Sequence, residues 1–204
     1  MAKIGFEYIV AAKLDETTST SLATLTYTDA REIGPGATAS GSPSSADVKD
    51  YGDDRVVLTD TSFTGGTMSL ELNEPTLENE AWMLGHELTE DGGMVCREDD
   101  VAPYLGVGFV GKSKKENDSI IYRAKIYVKA QFKEPTDENS TKQDTVNFTH
   151  TTMEGNLFKL DSDTDKIWKL VKDFSTLTEA KAYVDEVLCM DSSAADDSSE
   201  TETA

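Results

Sequence analysis

Apolar and polar positions alternate along most of this chain, most cleanly over residues 119–133. Ile120, Tyr122, Ala124, Ile126, Val128, Ala130 and Phe132 fall on one face at period two. Arg123, Lys125, Lys129, Gln131 and Lys133 fall on the other. That is the pattern of a half-buried strand. At about 3.3 Å per residue it spans more than about 40 Å, well beyond the usual strand. It is therefore expected to bend, carry a bulge or serve a large sheet. Residues 104–111 read as its hairpin partner across the polar turn 112–118. Further strands are expected at 6–14, 22–28, 55–63, 67–73, 94–97, 145–154, 156–160 and 167–171. In 67–73, Met68, Leu70 and Leu72 alternate with Thr67, Ser69 and Glu71, and the β-branched, Thr-rich composition supports the strand reading.

Two segments switch to helical spacing. The first runs from Leu77 to Leu84, after Pro75 and a Thr76 cap, and stops at Gly85. The second runs from Leu177 to Leu188. Thr176 and Glu179 make a capping-box pair, and Leu177, Ala180, Val184, Val187 and Leu188 form one apolar stripe. The predicted fold class is mainly β: two packed antiparallel sheets with one flanking helix, a long loop arm and a C-terminal helix.

Residues 34–54, GPGATASGSPSSADVKDYGDD, interrupt the alternation. Irregular stretches beyond about 12–15 residues are uncommon inside compact domains. This one is expected to be an arm or long hairpin that leaves the domain body. The chain thus divides into a β domain over 1–174, including the 34–54 arm, a C-terminal helix over 175–190, and a tail over 191–204. The tail, DSSAADDSSETETA, has five acids, no base and no large apolar residue. It cannot bury enough surface to offset chain entropy and is expected to be disordered.

Charge narrows the function. The 204 residues hold 19 Lys and Arg against 39 Asp and Glu, a formal charge of −20. Without the tail, 19 bases still face 34 acids, so the domain itself is acidic. A protein of this balance does not hold nucleic acid through bulk charge. No run approaches the roughly 18–20 apolar residues of a membrane span. The opening MAKIGFEYIV lacks a basic start, an apolar run and a small-residue cleavage site in succession, so no secretory leader is expected. The Asn-x-Ser/Thr sites at Asn117, Asn139 and Asn147 then have no route to glycosylation, and Cys96 and Cys189 read as reduced thiols.

Candidate chemistry is thin. Gly106, Gly108 and Gly111 match GxGxxG, but they lie inside an alternating strand that leads to a hairpin turn, not between a strand and a helix. They read as small residues where another element comes close. Asp161, Asp163 and Asp165 resemble the start of a calcium loop, yet Lys166 and Lys172 stand where the turn glycine and the bidentate glutamate belong. His86, His150, Cys96 and Cys189 show no paired spacing of a zinc site. No G-x-S-x-G elbow is present, and the acid pairs 53–54 and 99–100 read as solvated turns rather than glycosidase carboxylates. No enzyme activity, cofactor or metal is expected. The basic side of residues 123–133 carries more information. Arg123, Lys125, Lys129 and Lys133 put four of the nineteen bases on one side of one strand. Either this is charge mixing on a solvent face, or it is a subunit interface that meets an acidic neighbour.

The order of segments resembles the major tail proteins of long, flexible, non-contractile phage tails. The resemblance is carried by Gly5 through Asp15 (GFEYIVAAKLD), by Ala46 through Arg55 with Tyr51-Gly52-Asp53-Asp54, and by Leu70-Glu71-Leu72-Asn73 and Leu84-Gly85-His86. It continues through Ala102 to Phe109 (APYLGVGF), Lys133-Glu134-Pro135 and Met153 to Phe158 (MEGNLF). It covers roughly residues 3–174. The acidic tail is not part of it. The resemblance implies a tail-tube-type β-sandwich with a flanking helix. It implies a structural subunit, made in a bacterial cytoplasm and incorporated in the virion tail, that assembles with itself into hexameric rings. The rings stack into a tube around a tape-measure protein, meet terminator and baseplate proteins at the ends, and pass DNA down the bore. The family has no catalytic residue to carry over.

On that reading the long loop reaches to a neighbouring ring, with Ser42, Ser45, Asp47, Tyr51, Asp53, Asp54 and Arg55 as the inter-ring arm. An acidic wall repels phosphate, so DNA slides rather than sticks. The basic stripe is then expected at an intersubunit or outer surface, and Thr67, Ser69 and Glu71 are the candidates for lining the lumen. The alternatives are a tail terminator or baseplate ring of the same fold, and a monomeric β-sandwich binding module. The last needs aromatics gathered on an exposed face, whereas Trp82 and Trp168 sit in apolar-patterned segments.

Overall fold

The expected alternation becomes strand over most of its length. The computed structural model describes residues 2–52, 55–73, 75–115, 118–136, 150–162 and 165–190. Among these the strands are β1 (Ala2–Leu14), β2 (Tyr27–Glu32), β3 (Gly36–Ser45), β4 (Val48–Gly52), β5 (Arg55–Asp60) and β6 (Phe63–Leu72). They continue with β7 (Glu87–Leu88), β8 (Met94–Val95), β9 (Leu105–Lys114), β10 (Ile120–Phe132), β11 (Thr151–Phe158) and β12 (Lys169–Phe174). Helix α1 spans Leu77–Leu84 and α2 spans Leu177–Val187.

Eight strands form one antiparallel sheet in the order β2-β1-β9-β10-β11-β6-β3, with β12 also paired to β10. Strand β10 changes partner along its length. Tyr122–Tyr127 pair with β12, and Lys129–Phe132 pair with β11. The switch coincides with a bulge. Tyr127 faces Val107 and Ala130 faces Leu105, so Val128 and Lys129 together face Gly106. The extra residue bends the strand and reverses the alternation beyond it. The two packed layers expected from the sequence are therefore one hydrogen-bonded sheet folded on itself.

The fold makes two cores on opposite faces of β1, β9 and β10. Between the layers, Ile9, Ala11, Leu105, Val107, Phe109 and Tyr127 meet Met68, Leu70, Leu72, Met153 and Leu157, with α1 contributing Trp82, Met83 and Leu84. On the other face, Val10, Ala12, Val110, Ala124, Ile126 and Val128 meet Ala180, Val184 and Leu188 of the α2 segment. The glycines of the GxGxxG match explain how α2 comes so close. A Cβ on Gly108 would lie 2.7 Å from Val184 Cγ1, and one on Gly106 would lie 2.3 Å from the Tyr27 ring and 3.0 Å from Leu188. These positions hold glycine because a helix and a tyrosine occupy the space of a side chain.

Both helices are capped as expected. The Thr76 hydroxyl accepts from the Asn79 amide, and Gly85 ends α1 at φ 80°. Thr176 and Glu179 exchange side-chain-to-backbone hydrogen bonds, each at 3.3 Å, at the start of α2.

Several expectations change. Residues 22–28 are not one strand. Leu22–Thr24 is a 3₁₀ turn, and β2 starts at Tyr27. The Thr24 hydroxyl accepts from the amides of Thr20 and Ser21, and Ser19 exchanges hydrogen bonds with Thr26, so hydroxyls satisfy the backbone locally. The described parts of the expected strands 145–154 and 156–160 join in one strand, β11 (Thr151–Phe158), running through Gly155. A Cβ there would sit 2.7 Å from the Gln131 carbonyl oxygen. The 34–54 stretch is not one arm. Gly36–Ser45 is an edge strand paired along β6, where Gly36 and Gly41 admit the Ile9 and Tyr127 side chains and Pro43 is tolerated at an edge. Of this stretch β4 leaves the main sheet and pairs with β5 as a separate hairpin, as β7 and β8 also do with each other. Asp53, Asp54, the asparagines 117, 139 and 147, Asp163, the segment 145–149 and the tail 191–204 lie outside the described residues.

Candidate functional site

The outer face of β6 is polar by alternation, since Met68, Leu70 and Leu72 turn inward. Its neighbours on both sides stand in register with it. Ser42, Thr67 and Asn156 form one row, Ser40, Ser69 and Glu154 the next, and Thr38, Glu71 and Thr152 the third. Hydroxyls, one amide and two carboxylates make up this surface, with no Lys or Arg among the nine. The residues expected to line a bore thus belong to a three-strand polar wall.

The basic positions of β10 do not form one stripe. Arg123 holds Asp173 of β12 through both carboxylate oxygens, at 2.6 and 2.7 Å. Lys125 lies 5.5 Å from the centre of the Phe109 ring, on the inter-layer side. Past the bulge, Lys129 turns to the α2 side. There it is 8% exposed, lies 3.9 Å from the centre of the Tyr104 ring and pairs with Glu16. Lys133 is exposed beyond the end of β10. The physical reason is the bulge at Val128–Lys129, which reverses the faces that strict alternation assigns.

Other cations gather instead. Lys3, Lys112, Arg123 and Lys125 line a cavity of about 230 Å³ together with Phe6 and Phe109. Lys169 lies nearby, 4.9 Å from the centre of the Tyr127 ring. Burial, and after it the like charges of Lys3 and Arg123, push Lys125 and Lys169 below the ordinary lysine range. A chain of net charge −20 thus carries a concentrated positive surface. Its members come from β1, β9, β10 and β12, and the sequence pattern pointed only to the β10 pair.

The expected arm residues are distributed. Ser42 and Ser45 belong to the edge strand β3, Asp47 pairs with Lys49 at 3.4 Å at the root of the hairpin, and Tyr51 and Arg55 lie on its two strands.

A further cluster was not legible as a motif. His86, next to the glycine that ends α1, sets Nδ1 2.7 Å from Asp100 Oδ2 and Nε2 2.9 Å from Glu134 Oε2. Its side chain is 7% exposed. The hydrogen bond to Asp100, then that to Glu134, raises its pKa above the usual histidine value. Asp100 is held below the usual carboxylate range by the Arg97 amide first and His86 second. The exposed Cys96 thiol lies 4.0 Å from Glu134 Oε1. Residues 86, 96, 100 and 134 meet only through the fold, so their spacing carries no signal. The Gly85–His86 junction and the Asp99–Asp100 pair were the visible traces.

Beside this cluster, a cleft of about 460 Å³ is lined by Lys13, Arg31, Trp82, His86 and Pro103. Trp82 donates to Asp29 at 2.5 Å, while Lys13 and Arg31 lie 5.3 and 5.2 Å from its ring. No helix among the described residues is long and apolar enough to cross a membrane. No protein-family model matches the chain, and no curated protein matches it.

Proposed function

We propose that this chain is the structural subunit of a phage tail tube. Copies assemble into hexameric rings, and the rings stack around a tape-measure protein into the conduit through which DNA later passes. The observation that carries the reading is the β4–β5 hairpin. Its neighbours in sequence, β3 and β6, pair along their length in the main sheet, while the hairpin pairs only with itself. An isolated two-strand ribbon is marginal in water and gains stability by docking. A neighbouring ring supplies that dock.

Two surfaces support the same reading. The β3–β6–β11 wall is polar and anionic, which suits a bore that DNA must slide through. The cluster of Lys3, Lys112, Arg123, Lys125 and Lys169 is a seat for the acidic surface of an adjacent copy, where opposite charge sets register. Contacts of this head-to-tail kind extend without limit when stacked, as a tube requires. The chain is a virion component in this reading.

The test is a variant in which residues 47–60 are replaced by a short Gly-Ser link. Electron microscopy is expected to find rings that no longer stack. Tubes of unchanged length from the variant would count against the hairpin's role. Rings that fail to stack even in the parent chain would point to a terminator or baseplate ring instead.

A further inference from the structure

We infer that His86, Cys96 and Glu134 form a binding site for a borderline-soft divalent cation of the zinc class. The three residues come from three segments: the turn after α1, the exit of β8 and the exit of β10. One ligand atom from each falls within 4.8 Å of the other two. Zinc bonds of about 2.0–2.3 Å in tetrahedral geometry set ligand atoms roughly 3.3–3.7 Å apart. Glu134 meets the other two residues through different oxygens, Oε2 at 2.9 Å from His86 Nε2 and Oε1 at 4.0 Å from Cys96 Sγ, so one oxygen must turn to the ion, and separations of up to 4.8 Å must close by about 1 Å. Both adjustments are side-chain rotations, because Cys96 and Glu134 stand at the solvent edge.

The donor set selects the metal. Imidazole, thiolate and carboxylate together suit zinc, whereas calcium and magnesium take oxygen ligands. Acidic residues alone would attract any cation to a chain this negative; the imidazole and the thiol narrow the choice. The support behind the ligands is already built. Asp100 accepts from His86 Nδ1, which leaves Nε2 facing the cluster, and Asp100 is itself held by the Arg97 amide at 2.8 Å. A carboxylate behind a ligating histidine fixes the tautomer and the ring orientation. A water completes the fourth position from the solvent side, and the Nε2 and thiol protons leave on binding. The bound ion then ties the end of α1 to the end of β10.

Cobalt titration of the reduced full-length chain tests the site, followed by displacement with zinc. The expected result is one ion per chain, with a thiolate-to-cobalt charge-transfer band that zinc abolishes. The band should vanish in Cys96→Ser and persist in Cys189→Ser. Asp100→Asn should weaken binding about 10–100-fold, and Glu134→Gln should weaken it while far-ultraviolet circular dichroism stays unchanged. Absence of a thiolate band, or a band that survives in Cys96→Ser, overturns the assignment.

Discussion

Lys125 and Lys129 stand four residues apart on one strand and point to opposite faces of the sheet. The bulge between them turns Lys129 into the α2 side, against the Tyr104 ring and Glu16, while Lys125 keeps company with Phe109, Lys3 and Lys169. One lysine is compensated and buried; the other sits among like charges. Lys129→Ala is therefore expected to cost about 1–3 kcal/mol, through a lost desolvated cation–π contact and lost packing of its stem. Lys125→Met is expected to be neutral within about 1 kcal/mol, since it removes a half-buried charge beside other cations. Urea unfolding of the two variants checks the contrast.

Helix α2 rests on glycine. Gly108→Ala brings a methyl group within 2.7 Å of Val184 Cγ1, and an overpacked site of this kind costs about 1–3 kcal/mol. Val184→Ala removes the atom that clashes. The double variant should lose less stability than the two single losses added together, and a double-mutant cycle measures the difference.

Tyr8 joins the two ends of the chain. It occupies the bulge between Glu7 and Ile9 of β1 at φ 63°, and its hydroxyl donates to Asp185 of α2 at 2.6 Å. Burial first, and the Asp185 hydrogen bond second, raise its pKa well above the normal tyrosine range. Tyr8→Phe is expected to cost about 1–2 kcal/mol, the scale of a part-buried hydrogen bond to a charged group. The loss should appear as earlier melting of α2, read by amide hydrogen exchange.

The Arg123–Asp173 pair sets a pH dependence. Its hydrogen bonds with Arg123 hold the Asp173 carboxyl below its ordinary value. A carboxyl with a lowered folded pKa binds fewer protons when folded than when unfolded. Its contribution is complete above the unfolded value near 4 and disappears as pH falls through the folded value. Asp173→Asn should thus destabilise the protein at pH 7 by about 0.5–1 kcal/mol, as expected of an exposed pair. The gap between variant and parent should close as pH falls through the lowered folded value, as unfolding curves over a falling pH series would show.

Much of the fold was legible because local signals and tertiary packing agree. Leu77–Leu84 and the Thr176 capping box carry their own punctuation, and the inward alternation of Met68, Leu70 and Leu72 needs no partner to be read. Apart from the hydroxyl-bonded turn at Leu22–Thr24, long-range pairing overrode local pattern. Gly36–Ser45 has the composition of a loop, yet β6 offers it a complete hydrogen-bonding partner. A bulge at Val128–Lys129 leaves no residue-type signature, so strict alternation put Lys129 and Lys125 on one side. For the sites, only residues adjacent in sequence could be grouped. Thr67, Ser69 and Glu71 were visible as one strand face, but the flanking rows from β3 and β11 were not. His86, Cys96 and Glu134 meet across 48 positions of chain, and nothing in the spacing marks them.

The claim that this chain builds a tube is tested most directly by electron microscopy of the purified full-length protein across a rising concentration series. Rings with a central hole that stack into tubes are expected. Single rings that never stack at any concentration, with and without residues 191–204, would contradict it.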